Sequence, residues 1–321
     1  MSKLVISGAQ PSGILHIGNY FGALKQFVEL SKEHETRFFL ADLHALTSVQ
    51  DREVLSRYTL NQVKAYVAIG LDPQKSIIFK QSDIPEVTEL AWIFNCITTM
   101  PQLMRAHSFK DAEAKSKEIN VGLFDYPVLM TADILIHNAD IVPVGKDQKQ
   151  HIEIAREIAR KFNNTFEEIF TEPQEHIIES VEIVPGTDGQ KMSKSYGNTI
   201  PLFATHEEIK KAVMGIPTDS ATQEDSKNPD ENIIYKIHQL FLDETQKEEV
   251  RAKYVNGGMG YKEAKEMCIE SVENFIAPIR EKYDSISDAD ARKILDDGKK
   301  RIRPIIEERM NLIRKAVGTS I

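Results

Sequence analysis

Leu4-Val5-Ile6-Ser7-Gly8-Ala9-Gln10-Pro11-Ser12-Gly13-Ile14-Leu15-His16-Ile17-Gly18-Asn19-Tyr20 reads as strand, turn and helix in succession. Leu4-Val5-Ile6 is a short apolar run closed by Ser7-Gly8, the pattern of a buried strand. Gln10-Pro11-Ser12-Gly13 is a turn. Ile17, Tyr20, Phe21, Leu24, Phe27 and Val28 then recur at helical spacing. Doubly wound nucleotide folds begin this way, with the unpaired N–H groups of the helix N-terminus turned toward an anion. Neither Gly-x-Gly-x-x-Gly nor the P-loop pattern is present, which removes the main support for a dinucleotide or P-loop site.

Outward from this stretch the alternation continues. Phe38-Phe39-Leu40-Ala41 predicts a second strand ending at Asp42-Leu43-His44, Val54 to Ile69 a helix, and Ser76-Ile77-Ile78-Phe79 a third strand. Ile141-Val142-Pro143-Val144 predicts another, followed by a helix carrying Ile152, Ala155, Ile158 and Phe162, and a further strand within Ile177 to Val184. Strands alternating with helices imply an α/β fold with a doubly wound, Rossmann-like parallel sheet. Residues from about 86 to 137 are mostly helical, with a polar interruption at 108–120, and read as a helical insertion between the two halves of the sheet. Beyond Pro201 no strand alternation remains. Helical patterns at 207–214, 233–242, 247–254, 261–283 and 288–317 predict an α-helical second domain over 201–321, with a flexible polar stretch at 219–232. The catalytic domain is expected over 1–200.

Composition sets limits. Apolar residues make up 41% of 321 residues, enough for a sizeable core, and the formal net charge of −9 argues against coating nucleic acid by bulk attraction. Cys96 and Cys268 are far apart and lack ligand-like spacing, so neither a disulfide framework nor a resident metal site is expected, and a reducing cytoplasm is the natural setting. The N-terminus predicts no signal peptide, and no apolar run approaches the ~20 residues of a membrane span. From Lys299 to Lys315 seven cations stand against Glu307 and Glu308. A solvated helix face accounts for most of them.

Lys191-Met192-Ser193-Lys194-Ser195 lies in a loop bracketed by Gly186, Gly189 and Gly197. A lysine in such a loop is a flexible point charge suited to phosphate, and the two serines add hydroxyl donors. Alone, this is a basic surface loop, and alone His16-Ile17-Gly18-Asn19 is only the start of a helix. Together, in this order, they read as two halves of one nucleotide-handling site: a fixed histidine at a helix start and cations that arrive as charge develops on a leaving group.

The pair resembles the two signature motifs of the class I aminoacyl-tRNA synthetases, and the surrounding residues resemble the bacterial-type tryptophanyl-tRNA synthetase family. Tyr126-Pro127-Val128-Leu129-Met130-Thr131-Ala132-Asp133-Ile134-Leu135 is similar to the family's amino-acid-binding helix, and Asp140 to His151 is the most family-specific run. Similarity covers roughly the first 200 residues and fades toward the C-terminus. The resemblance implies ATP-dependent activation of L-tryptophan, with Mg²⁺, to tryptophanyl-adenylate and pyrophosphate, then transfer to the 3′ end of tRNA(Trp). It places Gln10, Pro11, Ser12, Gly18, Asn19, Gly145, Lys146, Asp147, Ile183, Met192, Ser193 and Ser195 at ATP-binding positions, Asp147 against a ribose hydroxyl and Ile183 in the adenine pocket. His16, Lys191 and Lys194 would be catalytic at the phosphates. Asp133 matches the indole-reading aspartate, and an indole does offer one N–H and no acceptor. Met130 would pack on the ring, while His44, Gln148 and Ile6 would complete the tryptophan pocket. A homodimer built through the insertion and an anticodon-reading helical domain are likewise implied. The last helix would touch tRNA or pack back on the catalytic domain.

The sequence departs from the family in places. Asn19 replaces the second histidine of the first motif, Ile6 stands where some members carry an aromatic, and Ser108 where some carry glutamine. Lys110 and Lys115 bracket the position of a further phosphate-binding lysine. A tyrosyl-tRNA synthetase shares the fold, but its pocket pairs the aspartate with a second polar group, often a tyrosine hydroxyl, and Val5 and Ile6 offer none. The other alternative is a synthetase-like protein that adenylates or binds RNA without charging tRNA.

Overall fold

The computed structural model describes residues 2–106, 109, 110, 113, 119–145, 148–177 and 184–320. It forms two compact units that interleave along the chain: Met1–Gly13, Gln26–Ile178 and Ser287–Ile321 make one, Ile14–Lys25 and Glu179–Ile286 the other.

The first unit is built on a sheet of β1 (Leu4–Ala9), β2 (Glu35–Leu40), β3 (Ile77–Lys80), β4 (Ile141–Val144) and β5 (Gln174–Ile177), ordered β3-β2-β1-β4-β5 with every pairing parallel. The chain runs outward from β1 to one edge, then returns to β4 and the other. Its topological switch point therefore lies between β1 and β4, where α/β sheets open a crevice at the strand carboxyl ends. The inner strand segments 5–7, 36–40, 77–79 and 141–144 are buried, which explains why β1, β2, β3 and β4 carry apolar runs, whereas Gln174 and His176 of the edge strand β5 are exposed. β5 ends at Ile177, earlier than the predicted strand, most of which falls at 178–183, outside the described residues.

Between the strands lie α3 (Asp42–Ala45), α4 (Arg52–Ala68), α5 (Glu86–Asn95), α6 (Met100–Met104), α7 (Val121–Leu135) and α8 (Lys149–Thr165). Asp51 caps α4 by accepting from the N–H groups of Glu53 and Val54 at 2.9 Å, and Asn120 caps α7 by accepting from Leu123 at 2.8 Å. The amphipathic α8 buries Ile152, Ala155, Ile158 and Phe162, each contributing about 1.5–3 kcal/mol for the large side chains. The helix predicted after β1, whose start lies in the second unit, is not a single α-helix. α1 (Ile17–Asn19) and α2 (Lys25–Glu33) flank a π-helical turn, Tyr20–Leu24, of the kind that often marks functional sites.

The last helix, α13 (Asp288–Val317), belongs to the first unit and packs against β3. Leu295, Ile302, Ile306, Met310 and Ile313 form its buried stripe. Its arginines are not the solvated face the sequence suggests. Arg301 donates to the carbonyls of Pro73 and Ser76, Arg309 to that of Ile169, Arg303 pairs with Glu86, and Arg314 grips Glu89 through two hydrogen bonds of 2.8 and 2.6 Å. A guanidinium can satisfy such fixed acceptors, which an ammonium on a flexible stem does less well.

In the second unit, α9 (His206–Met214), α10 (Ile233–His238), α11 (Glu244–Asn256) and α12 (Tyr261–Ser285) make an all-helical packing. Ala264, Cys268, Val272 and Ile276 are buried on α12, against which α9 and α10 pack. The 219–232 stretch, predicted to be flexible, is tied down. Lys227 is buried, donates to the carbonyls of Thr222 and Asp225 at 2.8 and 3.0 Å, and lies over the Tyr261 ring. The Tyr261 hydroxyl in turn donates to Asp219. Polar composition alone does not reveal such a buried cation.

Gly298 is where α13 meets β3, and a Cβ there would stand 1.8 Å from the carbonyl oxygen of Ile78. That atom is backbone and cannot rotate away. Gly298→Ala is expected to destabilise the first unit by about 2 kcal/mol or more, read as a lowered urea midpoint with an unchanged slope.

Candidate active site

In the first unit three elements bring polar side chains together at the strand carboxyl ends. α3 follows β2 and carries His44, the 3-10 turn Gln81–Asp83 follows β3, and α7 precedes β4 and carries Asp133. Asp133 is 2% exposed. Gln81 Nε2 donates to both its oxygens, at 2.8 and 2.9 Å, and His44 Nε2 lies 2.8 Å from Oδ2. Burial is the largest influence on this carboxyl and raises its pKa, while the hydrogen bonds from His44 and Gln81 pull it down. When Asp133 is ionised, His44 Nε2 carries the proton that it donates. Asp133 thus neither caps α7 nor reaches solvent.

Around this group the other expected residues take different places. Met130, one turn earlier on α7, is half-buried against the core. The Tyr126 ring meets His44 edge-on, and its hydroxyl lies 2.8 Å from Nε2 of His151. Gln148 stands at the start of α8, its N–H donating to the carbonyl of Gly145 at 2.9 Å. Ile6 is fully buried within β1. Gln10 and Ser12 are exposed and Pro11 is buried in the turn after β1. Lys146, Asp147, Ile183, Ser108 and Lys115 lie outside the described residues, and the backbone N–H of Lys110 donates to the carbonyl of Ala106 at 3.2 Å.

The second unit holds both residues 16–19 and residues 191–195. His16 is 6% exposed and immediately precedes α1. Its N–H donates to Asn19 Oδ1 at 3.0 Å, and the N–H groups of Asn19 and Tyr20 return to its carbonyl. A Cβ on Gly18 would stand 2.9 Å from the His16 ring and 3.3 Å from Cβ of Met192, so glycine is what allows histidine and lysine motif to approach there. Burial first, and then the charge of Lys194, lower the His16 pKa to about 4. It is therefore a neutral imidazole at physiological pH, able to share one hydrogen bond with a phosphate without adding charge.

Lys191, Lys194 and Ser195 are exposed, Ser193 is half-buried and Met192 is buried. Met192 anchors the motif through its N–H on the carbonyl of Val184. Asn198, 2% exposed, is the hub. Its Oδ1 accepts from Ser193 N–H at 2.8 Å, while Nδ2 donates to Asp188 Oδ1 at 2.7 Å and to the Lys191 carbonyl at 3.1 Å. Ser193 Oγ accepts from Ser195 N–H. Partial desolvation lowers the Lys194 pKa, so an anion nearby would relieve it. Sequence reasoning missed Gln81 and Asn198. The available signal for Gln81 was a lone amide at the carboxyl end of a predicted strand, and for Asn198 its place just after Gly197.

The first unit's 3-2-1-4-5 parallel sheet with its buried Asp133, and the second unit's helix-opening histidine and lysine loop, each taken by itself, are features of one class of protein. The chain matches the family model for class I tRNA synthetases (W and Y) over residues 3–277 and belongs to that family. Within it, the chain is 49% identical to the tryptophan–tRNA ligase of Fusobacterium nucleatum over 98% of both chains. It is similar to the crystal structure of Campylobacter jejuni tryptophanyl-tRNA synthetase complexed with ADP and tryptophan, at a TM-score of 0.92 and 47% identity, covering 98% of this chain and 99% of that one. The Mycoplasma pneumoniae tryptophanyl-tRNA synthetase superposes with a TM-score of 0.83 at 28% identity, over 99% and 98% of the two chains.

Two outcomes follow from the second unit. Asn198→Ala removes three side-chain hydrogen bonds of the loop, a loss of about 1–1.5 kcal/mol of local stability. Tryptic cleavage after Lys191 and Lys194 should accelerate roughly 5- to 10-fold, with cleavage elsewhere unchanged. By NMR, His16 should titrate near 4, and Lys194→Met should raise that value while leaving it below 6.5, because burial is the larger cause. The unfolded chain, with its ordinary histidine, takes up the proton first, so His16 favours unfolding as pH falls from about 6.5 toward 4.

Proposed function

We propose that this chain is a tryptophan-activating synthetase: it joins L-tryptophan to ATP, releases pyrophosphate, and transfers the tryptophanyl group to the 3′ end of tRNA(Trp). The observation that carries the reading is the buried Asp133, a carboxylate whose acceptor capacity is only partly used by Gln81 and His44. An indole N–H supplies the donor that such a group lacks, and a ring with no polar group does not. The Campylobacter jejuni structure holds ADP and tryptophan, and the Fusobacterium nucleatum relative is a tryptophan–tRNA ligase; both support the same substrates here.

Activation needs no enzyme nucleophile. The tryptophan carboxylate oxygen attacks the α-phosphorus of ATP, the bond to the bridging oxygen breaks, and pyrophosphate leaves with the electron pair. The protein's part is positioning and charge stabilisation. In this reading Asp133, Met130 and His44 seat the indole, Gln148 assists at the amino-acid end, and Ile6 backs the pocket from β1. Gln10, Pro11, Ser12, Gly18, Asn19, Gly145, Lys146, Asp147 and Ile183 hold the nucleotide, which enters as its Mg²⁺ complex. His16 donates a neutral hydrogen bond to a phosphate oxygen. Lys191 and Lys194, steadied by Met192, Ser193 and Ser195, neutralise the charge that develops on departing pyrophosphate. Loop motion then gates turnover.

The remaining assignments are proposals of the same kind. The helices of 201–286 read the anticodon. Trp92 is 70% exposed, and Met100 and Met104 are exposed near it in sequence, an apolar surface that a second copy would cover in a homodimer. No helix of the described residues is long and apolar enough to cross a membrane, and the protein is assigned to the cytoplasm.

ATP–pyrophosphate exchange with tryptophan and tyrosine offered separately tests the reading. Tryptophan alone should support exchange. Asp133→Asn should lower kcat/KM for tryptophan on the order of 100-fold, about 3 kcal/mol, with the KM for ATP little changed. Faster exchange with tyrosine would overturn the substrate assignment.

A further inference from the structure

We propose that Gln81 is the residue that fixes the polarity of the tryptophan pocket, by locking Asp133 as an acceptor and so making the site selective for a ring N–H. This rests on the substrate reading above and deepens it. Gln81 lies 52 positions before Asp133, belongs to no motif and is 1% exposed. Its amide has only one orientation. Oε1 accepts from the backbone N–H groups of Leu43 and His44, at 3.1 and 3.2 Å, and only an oxygen can take both. Nε2 is therefore turned to Asp133, where it donates to Oδ1 at 2.8 Å and Oδ2 at 2.9 Å.

Three consequences follow. A donor facing both oxygens favours the ionised carboxylate, so Asp133 offers lone pairs rather than an O–H. Among the described residues Oδ2 takes two donors, Gln81 and His44, and Oδ1 takes one, Gln81, which makes Oδ1 the oxygen for a substrate N–H. And because the same amide holds the N–H groups of Leu43 and His44, Gln81 sets the start of α3 and with it the position of the His44 ring. Gln81 thus acts through Asp133 and His44: it is a positioning residue, and its effect is on which ring is chosen.

The test is exchange kinetics with tryptophan and with its benzothiophene analogue, in which sulfur replaces the ring N–H. Gln81→Met keeps the length and volume and removes both hydrogen-bonding ends. The expected result is a loss of 10- to 100-fold in kcat/KM for tryptophan carried mainly by KM, a much smaller loss for the analogue, and an unchanged KM for ATP. Preference for tryptophan over the analogue then collapses. Gln81→Glu is the second variant, because it keeps an acceptor for the two backbone N–H groups and can donate to Asp133 only when protonated. Its preference for tryptophan should fall further as pH rises, and since His44 and Asp42 face Asp133 in both proteins, the difference from wild type reports position 81. Equal losses for both substrates with preference intact in both variants, or unchanged tryptophan kinetics, would overturn the proposal. Wild-type protein inactive with tryptophan would instead sink the substrate reading itself, so the two failures are distinguishable.

Discussion

A carboxylate removed from water must be given donors or it will take up a proton, and that constraint organises the first unit around Asp133. Burial raises its pKa, and an unpaired buried charge would cost several kcal/mol. The donors that offset this follow the carboxyl ends of neighbouring parallel strands: the segment after β2 gives His44 and the turn after β3 gives Gln81, while α7, in the crossover before β4, carries Asp133 itself. A parallel sheet puts all these ends on one side. Antiparallel neighbours would send half of them to the opposite edge, and the constellation could not form.

The second unit solves a different electrostatic problem. In its proposed role it receives a polyanion, so it must be attractive when the anion is present and tolerable when it is absent. Lys191 and Lys194 sit on an exposed loop, Lys194 only partly desolvated, while the buried partner of Lys194 is kept neutral, the His16 pKa lying near 4. A charged imidazole there would add like-charge repulsion in the empty state. The backbone of the lysine loop, by contrast, is fixed by an uncharged hub, Asn198, whose amide supplies both an acceptor and donors.

Much of this fold is legible in the sequence because it is periodic. The apolar runs at 4–6, 38–40, 77–79 and 141–144 are strands, and the helical stripes of 52–68, 149–165 and 261–285 fall where their spacing puts them. What the sequence hides is what depends on partners far along the chain. Gln81 looks like any amide at a strand end until Asp133 arrives 52 residues later. Arg309 looks solvated until the carbonyl of Ile169 is brought to it. The π turn at Tyr20–Leu24 leaves the apolar spacing nearly helical, so periodicity alone passes over it. Lys227 sits in a stretch whose composition argues for mobility, yet backbone carbonyls of its own loop bury it.

These distant dependencies also explain why the last helix belongs with the sheet. β3 is an edge strand, and an uncovered edge is free to fray or to pair wrongly. Gln81 follows it directly, so any looseness in β3 would pass to the amide that orients Asp133. α13 removes that freedom at close range. Gly298 lets its backbone approach Ile78, two residues before Lys80, and Lys299 lies 3.5 Å from Asp83. Asp83 also accepts from the N–H of Lys80 at 3.1 Å, closing the turn that carries Gln81. Arg303 and Arg314 extend the same hold to Glu86 and Glu89 on α5, the next element in the chain. A helix more than 200 residues downstream thus buttresses the turn beside Asp133, so under the proposed reading a substitution along α13 that loosens β3 is felt in the choice of ring as well as in stability.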